Sequence, residues 1–536
     1  MSILVRNIQT GLHRSEETAF EKAAEALGVS PGQADMYVVK HSVDARHKQD
    51  IRFVYTIGVD LKEGEAAAVA RANSPHVTLS QEMPLAVVTG NTKLEHPPII
   101  AGFGPTGMFA GLLLARCGFR PIILERGQAM EQRTAALEQF WKQGVLNPSA
   151  NVQFGEGGAG AFSDGKLTTR IGDPLCGFVL RELVRFGAPV EILRKAKPHV
   201  GTDYLRKVVQ GIRQEILALG GEIRFDSQLE ELHLGSGKLE AITVNGQQMP
   251  ASSLFLAVGH SARDTFEMLL GKGLSMEQKP FSVGVRIEHL QTEVDKALYG
   301  AAAGHPALPK GEYQLSHREG DRAVYTFCMC PGGFVVPAAS EQGGLVTNGM
   351  SYYSRNGENA NAALVVSVDS RDFGSGLLDG VQFQRRLEQA AFAAGGGNWA
   401  APAQTVGRFL AGQAGADFGR VTPTFACGVK PADLSAILPP QVTEMLKKSL
   451  QVFGRKQPGF AATDAVLTGV ETRTSSPIRI LRGQEFEAPG ASGVYPCGEG
   501  AGYAGGIMSA AVDGLRAALQ FASRYAPNEG GGSIML

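Results

Sequence analysis

The residues with the clearest chemical purpose are three glycines, Gly102, Gly104 and Gly107, spaced as Gly-x-Gly-x-x-Gly. They follow the apolar run 98–101, which predicts a strand, and precede the run 108–117, which predicts a helix. In that setting Gly102 allows a tight turn, Gly104 lets the backbone approach a pyrophosphate, and Gly107 lets the helix pack on the strand. The spacing therefore predicts a site for the pyrophosphate of a dinucleotide.

The residues around these glycines fit the same chemistry. Pro105 suits a first helical turn, because its missing N–H is no loss there. The helix start offers free N–H groups and the positive end of its dipole to phosphates. A second predicted strand, 121–124, ends in Glu125, which lies 18 residues after Gly107. A carboxylate in that place accepts hydrogen bonds from the adenosine ribose and repels a 2′-phosphate, which disfavours NADP at this site.

A glycine-rich segment, residues 154–166, follows where a plain NAD domain would continue with alternating strands and helices. Its small residues include Gly158, Ala159 and Gly160, and it ends at Lys166. So little side-chain volume lets a flat ring lie against backbone amides.

A second stretch with the same logic lies far along the chain. Residues 493–499 predict a strand that ends in Gly498 and Glu499, residues 500–506 predict a loop, and residues 507–520 predict a helix. An acid at this strand end can bind a ribityl chain. The helix start can face the N1/O2 edge of a flavin, where negative charge develops on reduction. Together the two stretches favour FAD over NAD.

At these positions the chain resembles the glutathione-reductase-like FAD superfamily, and its Gly498-Glu499 stands where that superfamily has Gly-Asp. It is more similar still to one bacterial family within it, the uncharacterised FAD-dependent dehydrogenases, in the runs 151–160, 258–264 and 469–477. The resemblance spans roughly residues 95–520 and implies a non-covalently bound FAD. The residues that match the superfamily pattern are Gly102, Gly104, Gly107, Gly111, Gly118, Glu125, Ala257, Val258, Gly259, Gly498 and Glu499.

The full set of residues expected to contact FAD comes from both stretches, the glycine-rich segment and the strand ends beside them. It consists of Gly102, Gly104, Pro105, Thr106, Gly107, Glu125, Arg126, Arg133, Gly158, Ala159, Gly160, Lys166, Leu229, Gly259, Gly498, Glu499, Gly505, Gly506 and Ile507.

Three side chains are candidates for catalysis, each with a simpler alternative. Lys166 closes the glycine-rich segment and could approach the flavin N5 or O4, or it contacts a phosphate or solvent. His260 follows a strand-end glycine and could do acid–base work, although a phosphate or backbone contact is favoured. Arg473 lies in a polar turn and could clamp a substrate carboxylate, or it forms an interdomain ion pair.

The chain lacks two features of disulfide reductases. Beyond the two stretches assigned to FAD, it contains no further strand-Gly-x-Gly-x-x-Gly-helix unit, and it contains no Cys-x4-Cys pair after the first one. Cys328 and Cys330 are its closest pair of cysteines. On a strand their Cα atoms would lie about 7 Å apart, at the limit for a disulfide. We therefore interpret them as reduced, partly buried thiols without a redox role.

The order of predicted elements gives an α/β fold with a Rossmann-like FAD-binding domain, an inserted α+β substrate domain and an N-terminal ferredoxin-like α+β unit. Strands and helices in βαββαβ order before the prolines at 97 and 98 define that first unit. The predicted boundaries are 1–93 for the ferredoxin-like unit, 94–265 and 466–525 for the FAD-binding domain, 266–465 for the insertion and 526–536 for a disordered tail.

Composition narrows the partners. Lys and Arg number 51 against 52 Asp and Glu, so the net charge of -1 favours neither nucleic acid nor a membrane surface as a partner. We find no apolar run near the roughly 20 residues that span a bilayer, and no metal-ligand spacing. Six cysteines in 536 residues fit a reducing compartment, so we expect a cytoplasmic protein. The partner expected is a small-molecule substrate, and the oligomeric state stays open.

Three functions fit these features. The first is a dehydrogenase or reductase that moves a hydride through flavin N5, with NAD(P)H docking transiently as electron donor. The second is an FAD-dependent monooxygenase, in which reduced flavin activates oxygen. The third is an FAD-bearing RNA-binding or sensor protein that uses the N-terminal unit. The first is favoured, and the sequence does not identify its substrate.

Overall fold

The computed structural model describes residues 2–80, 84–527 and 533–535. Residues 2–80 form four antiparallel strands and two helices: β1 (Ser2–Gly11), α1 (Glu16–Leu27), β2 (Ala34–Asp44), β3 (Arg52–Leu61), α2 (Glu65–Ala72) and β4 (Val77–Ser80). The strands lie in the order β2-β3-β1-β4, which is the ferredoxin-like arrangement that the sequence predicts. Alternate apolar residues of the central strands, such as Ile3, Val5, Ile57 and Val59, form its small core with α1 and α2.

This unit is fixed to the rest of the chain through the edge of β2. The backbone N–H of His41 donates to the Arg194 carbonyl at 2.7 Å, and the Ala196 N–H donates to the His41 carbonyl at 3.0 Å. Two such bonds continue the sheet edge into the loop 194–196. The N-terminal unit is therefore attached by backbone hydrogen bonds to the loop that immediately precedes residues 197–201.

The next elements belong to residues 84–271, which carry the motif of Gly102, Gly104 and Gly107. They are β5 (Ala86–Val88), β6 (Thr92–Lys93), β7 (Ile99–Ala101), α3 (Pro105–Arg116), β8 (Ile122–Leu124), α4 (Met130–Gln143), α5 (Leu175–Arg185), α6 (Gly201–Ala218), β9 (Glu222–Arg224), β10 (Leu229–Gly235), β11 (Lys238–Val244), β12 (Gln247–Pro250), β13 (Leu254–Leu256) and α7 (Arg263–Gly271).

An inserted domain follows, with a mixed seven-stranded sheet at its centre. Its elements are β14 (Met276–Gln278), β15 (Phe281–Leu290), α8 (Gln291–Tyr299), β16 (Ser316–Glu319), β17 (Arg322–Cys330), β18 (Phe334–Pro337), β19 (Thr347–Met350), β20 (Asn359–Val368), α9 (Ser370–Phe373), α10 (Asp379–Ala394), β21 (Ala401–Thr405), α11 (Val406–Ala411), β22 (Val429–Pro431), α12 (Pro440–Lys456) and β23 (Val466–Glu471). The sheet runs β16-β17-β20-β15-β23-β21-β22, with α10 and α12 packed against it.

The chain then returns to the first domain. The last elements are β24 (Ile478–Ile480), β25 (Val494–Pro496), α13 (Ile507–Ala522), β26 (Tyr525–Ala526) and β27 (Ser533–Met535). β25 completes a five-stranded parallel sheet in the order β25-β13-β7-β8-β9. α13 packs against α3 so closely that a methyl group added to Gly514 would lie 2.2 Å from the Thr106 carbonyl oxygen.

The boundary predicted at residue 466 needs correction. β23, residues 466–471, pairs with β15 and β21 and is a central strand of the inserted sheet. The predicted boundary fell before this strand because the polar run beginning at Glu471 follows it directly. Yet all six residues of the strand are buried, as expected for a strand covered on both faces. The return to the FAD-binding domain therefore comes after Glu471.

The predicted tail, residues 526–536, also differs where it is described. Tyr525–Ala526 pairs with Thr92–Lys93, and Ser533–Met535 pairs with Ala86–Val88. The exposed β5 and β6 edges accept these short strands, which the glycine-rich composition of the segment concealed. Residues 528–532 and 536 lie outside the described residues.

None of the helices in the described part of the chain combines the length and the apolar character that crossing a bilayer requires.

Candidate functional site

A cavity of about 330 Å³ lies at the carboxyl ends of the parallel strands, between that sheet and the inserted domain. The turns after β7, β8 and β13 form one side of it, and residues from β17 and β19 form the other. The segments 158–166 and 505–507 complete the wall. Crevices outside the carboxyl ends of parallel strands are where open α/β sheets bind their ligands.

The structure brings nearly all of the predicted site residues together. Lys166, His260 and Arg473 line the cavity, and so do the expected FAD contacts with three exceptions. Those exceptions, Gly107, Gly498 and Arg133, lie behind the wall.

Two of the exceptions are glycines that set a close approach of backbones. A methyl group on Gly107 would lie 1.9 Å from the Gly102 carbonyl oxygen. One on Gly498 would lie 2.1 Å from Thr106 Oγ1. Both glycines therefore shape the site by letting β7, α3 and the C-terminal segment meet, and their prediction as direct contacts is corrected.

Arg133 is the third exception and supports the glycine-rich segment from behind. Its side chain is fully buried, and its guanidinium donates to the carbonyls of Asn151 at 2.9 Å, Val152 at 3.0 Å and Glu156 at 2.5 Å. Burial lowers the pKa of Arg133 to about 9. Helix α4 directs this side chain into the folded loop, a placement that sequence spacing alone does not reveal.

Glu125 stands at the end of β8, as predicted, and ties three turns together. Its Oε2 accepts from the Phe103 N–H at 2.8 Å, and its Oε1 accepts from Gly127 at 2.9 Å and Gly155 at 3.0 Å. A carboxylate offers about four acceptor positions. One position thus remains for a ribose hydroxyl, while the other three hold the turns that surround it.

The geometry fits FAD at both ends of the cavity. Methyl groups placed on Gly259, Gly505 or Gly506 would meet no protein atom within 4 Å, although all three glycines line the wall. The space beside them is therefore open to a ligand. Neither α3 nor α13 has a side-chain N-cap, so their first-turn N–H groups and positive dipole ends are available to a dinucleotide.

Lys166 belongs to a dense charge cluster at the cavity wall. Its Nζ lies 3.0 Å from Asp164 Oδ2 and 3.4 Å from Glu312 Oε2. Asp164 also accepts two bonds from Arg355, at 3.0 and 2.5 Å. Burial is the largest single effect and opposes the charge on Lys166, but the nearby carboxylates, Asp164 foremost and then Glu312, together raise the Lys166 pKa. Lys166 is therefore a firmly held cation, with the third N–H of its ammonium left for the cavity.

His260 is a neutral imidazole whose proton position follows from its neighbours. Gln153 Nε2 donates to the Ala338 carbonyl at 3.2 Å, which leaves Gln153 Oε1 to accept from Ser261 Oγ at 3.1 Å. His260 Nδ1, at 2.9 Å, must then donate to Ser261, and Nε2 keeps its lone pair. Burial, followed by the charges of Arg473 and Arg263, lowers the His260 pKa to about 4. The residue is thus a hydrogen-bond acceptor and a weak base near neutral pH.

Arg473 forms the interdomain ion pair that was the simpler of its two alternatives. Glu388 of α10 accepts from Arg473 at 3.1 and 3.0 Å and from Arg263 of α7 at 3.0 and 2.8 Å. Arg473 Nη1 also donates to Ser340 at 2.5 Å. One buried carboxylate therefore joins the two domains at the edge of the cavity. Because Glu388 and Ser340 occupy the guanidinium of Arg473, it has no free pair of N–H groups to clamp a substrate carboxylate.

Glu499 is a carboxyl group on the cavity wall whose pKa is strongly raised. Burial raises the pKa of Glu499 to about 7, against the opposing effects of the Gly506 amide and Lys279. A carboxyl of that kind holds a proton near neutral pH and can donate or accept it.

Sequence reasoning missed several residues of the wall, among them Cys328, Asn348 and Glu471. They come from strands of the inserted domain, and the order of those strands in the sheet cannot be predicted from a local sequence pattern. The signal for Cys328 was present as the Cys-x-Cys spacing, but a regular strand gave it no reason to face a ligand.

Comparison with known proteins agrees with this site. Residues 280–474 match the family described as the FAD-dependent protein, C-terminal domain-like family, and residues 2–60 match a domain of unknown function. The chain is a flavoprotein, and FAD is its cofactor. It is 46% identical over 530 residues to an uncharacterized protein of Clostridium beijerinckii, covering 98% of this chain and 99% of that one, and it belongs to the same family.

Solved structures are similar only at low levels. The halogenase PltM is 11% identical, with a TM-score of 0.36, over 80% of this chain and 68% of that chain. An L-amino acid deaminase from Proteus myxofaciens is 11% identical, with a TM-score of 0.32, over 82% of this chain and 93% of that chain. These values carry no information about the reaction.

The two kinds of glycine predict different effects of substitution. Gly107→Ala places a methyl against a carbonyl oxygen and should destabilise the FAD-free chain by about 1–3 kcal/mol. Gly505→Val projects into open space, so it should leave that stability unchanged and weaken FAD binding at least about tenfold. Thermal unfolding of the FAD-free chains and fluorescence titration with FAD measure the two effects. Wild-type FAD affinity in Gly505→Val would contradict the assignment of this space to the cofactor.

Removing the shared carboxylate should loosen the domain contact. Glu388→Ala leaves Arg263 and Arg473 buried together without their partner, and should lower the free energy of unfolding by about 3–5 kcal/mol. Glu319→Ala is the matched control, because its pair with Lys448 is exposed and should contribute little to stability. Urea unfolding of both variants tests this, and equal losses would argue against the interdomain role.

Glu499 should give the FAD-free protein a pH-dependent stability. Between its ordinary pKa of 4.5 and the folded value of about 7, the folded chain holds a proton that the unfolded chain releases. Stability from this group therefore falls as the pH rises from 4.5 to 7, by about 2 kcal/mol. Glu499→Gln should remove that part of the slope in urea unfolding across the window. An unchanged slope would mean that the carboxyl ionises normally.

Proposed function

We propose that the protein is an FAD-dependent oxidoreductase, a dehydrogenase or reductase of the glutathione-reductase-like superfamily, that transfers a hydride between its flavin and a small molecule. The observation that carries this proposal is the single cavity in which strand-end glycines, two uncapped helix starts and the wall of the inserted domain meet. When bound, FAD supplies the two-electron chemistry. The protein has to bind, orient and shield the reacting groups.

The residues divide that work by position. Gly104 and the start of α3 receive the pyrophosphate, and Glu125 accepts from the adenosine ribose. The start of α13 and Glu499 serve the other end of the cofactor. The positive end of the α13 dipole stabilises negative charge placed beside it. No covalent attachment is needed, because backbone N–H groups and shape supply the affinity.

We assign the substrate to the side of the cavity where residues of the FAD-binding domain face the inserted domain. Lys166 presents a fixed positive charge that favours an electron-rich or anionic group. His260 Nε2 offers an acceptor for a hydroxyl or N–H of the substrate. The Glu388 contact keeps the inserted domain closed over the site and keeps water away from it.

The electron donor is expected to be NADH or NADPH, docking transiently in the same cavity. The two strand-glycine-helix stretches, at 99–116 and 494–522, are both assigned to FAD, so no further stretch of that kind is left for the donor. The donor is therefore expected to bind only transiently, through the same opening of the cavity that the substrate uses.

Anaerobic stopped-flow tests the proposal. The purified yellow protein is mixed with NADH, NADPH and then a panel of small metabolites, and absorbance of the flavin in the blue is followed. Rapid bleaching by a member of these classes is expected, and protein from which the FAD has been removed should show no signal. Readmitting air distinguishes the monooxygenase alternative, which would yield a hydroxylated product. A yellow protein that none of these donors bleaches would count against the oxidoreductase.

A further inference from the structure

Cys328 and Cys330 lie at the substrate side of the cavity. Cys328 is part of the cavity wall, together with Lys166 and Asn348. Cys330 is fully buried two residues further along β17. Both are free thiols in the structure.

A β-bulge turns Cys328 out of the regular strand. The pairing of β17 with β20 shifts register between Phe327 and Cys330, so the strand carries an extra residue there. Cys328 has a φ of 44°, a left-handed conformation that side chains other than glycine seldom adopt. Such bulges redirect side chains and are frequent beside active sites. The strain is maintained because Arg286 donates to the Cys328 carbonyl at 3.1 Å.

The two cysteines contact one another. The Cys330 thiol donates to the Cys328 carbonyl, with 3.3 Å between Sγ and the oxygen. The bulge therefore holds the buried Cys330 thiol against the backbone of Cys328, which lines the cavity.

The surroundings favour a thiolate at Cys328. The hydrogen bond from Cys330, followed by the positive charges of Arg286 and Lys166, lowers the Cys328 pKa despite its burial and the nearby Glu471. The pKa of Cys330 is raised by the same pairing. The cysteines elsewhere differ, since burial raises the pKa of Cys117 and Cys427 to about 11. The reactive form of a cysteine is the thiolate.

We propose that Cys328 and Cys330 are a redox-active pair that exchanges two electrons with the FAD and reduces a small disulfide substrate entering the cavity. This inference rests on the proposed function, because it needs a flavin that receives electrons. It names the substrate class as disulfides of low molecular weight. The relevant spacing is Cys-x-Cys on the inserted domain, rather than a pair in the dinucleotide-binding half.

The electrons and atoms balance over one turnover. The Cys328 thiolate attacks one sulfur of the substrate disulfide, and the other half leaves as a thiolate. The Cys330 thiol loses its proton and its sulfur attacks Cys328, which releases the second half and forms a Cys328–Cys330 disulfide. Returning the Cys328–Cys330 disulfide to two thiols takes two electrons and two protons, which a bound FADH₂ would supply on being oxidised to FAD. A nicotinamide dinucleotide supplies the next hydride.

Anaerobic dithionite titration of the air-oxidised, FAD-loaded protein tests the pair without an activity assay. A disulfide and a flavin each take up two electrons, so the wild type should accept about four electrons per FAD. Cys328→Ser and Cys330→Ser should each accept about two. The matched control is Cys427→Ser, a part-buried cysteine beside the Phe140 and Trp141 carbonyls, which should behave as wild type.

Two further readings keep the outcome clear. Alkylation and mass measurement of the oxidised wild type should find Cys328 and Cys330 blocked, and both free after reduction. FAD absorbance per chain and thermal unfolding show that each serine variant is folded and loaded. For a variant that fails to fold, the alkylation pattern of the wild type decides.

An uptake of about two electrons by the wild type, with both thiols alkylated in air, would overturn the inference. Failure of the proposed function looks different. In that case the flavin takes electrons from dithionite but from no nicotinamide or metabolite donor. A pair that cycles in the titration, in a protein that no such donor bleaches, would retain the redox pair and reject the donor class.

Discussion

The cavity depends on the close approach of two helix starts that belong to distant parts of the chain. Gly514 of α13 leaves room for only a hydrogen atom against the Thr106 carbonyl, and Gly498 does the same at Thr106 Oγ1. Because hydrogen atoms replace side chains at this contact, two positive dipole ends face one space. Like dipole ends disfavour each other, so an anionic, electron-rich ligand between them relieves the repulsion. Bound FAD would therefore stabilise the fold by offsetting the repulsion between the two helix starts.

The second domain is held to this space by a buried ion network in addition to apolar contacts. Those apolar contacts include Val336 and Val346 in the main hydrophobic core and Trp399 against Phe140. Glu388 binds Arg263 of one domain and Arg473 of the segment that returns to it. A buried ion network of this kind is sensitive to geometry, because each partner left alone would be an uncompensated charge. It therefore sets the position of the inserted sheet, and with it the distance of β17 and β19 from the helix starts.

The dinucleotide half of the site was predictable because its signals are local. Gly102, Gly104, Gly107 and Glu125 lie within one strand-turn-helix-strand run, where each residue has a role set by backbone geometry. The order of elements in the N-terminal unit was predictable for the same reason. The inserted half was not, because β23 pairs with strands that lie more than 60 residues earlier in the chain. Arg473 illustrates the limit of prediction from sequence, because the same local sequence is compatible with a free guanidinium and with an ion pair to Glu388.

The charges on the cavity wall show what kind of chemistry the protein itself can contribute. Lys166 is matched by Asp164 and Glu312, and Arg473 is matched by Glu388, so the fixed cations bind and orient. His260 is too weak a base to remove a proton of ordinary acidity near neutral pH. The groups on this wall that can gain or lose a proton near neutrality are Glu499 and the Cys328 thiol. One lies at the end of the cavity proposed for the cofactor and the other at the end proposed for the substrate, so each proposed reaction partner has a group beside it that can exchange a proton.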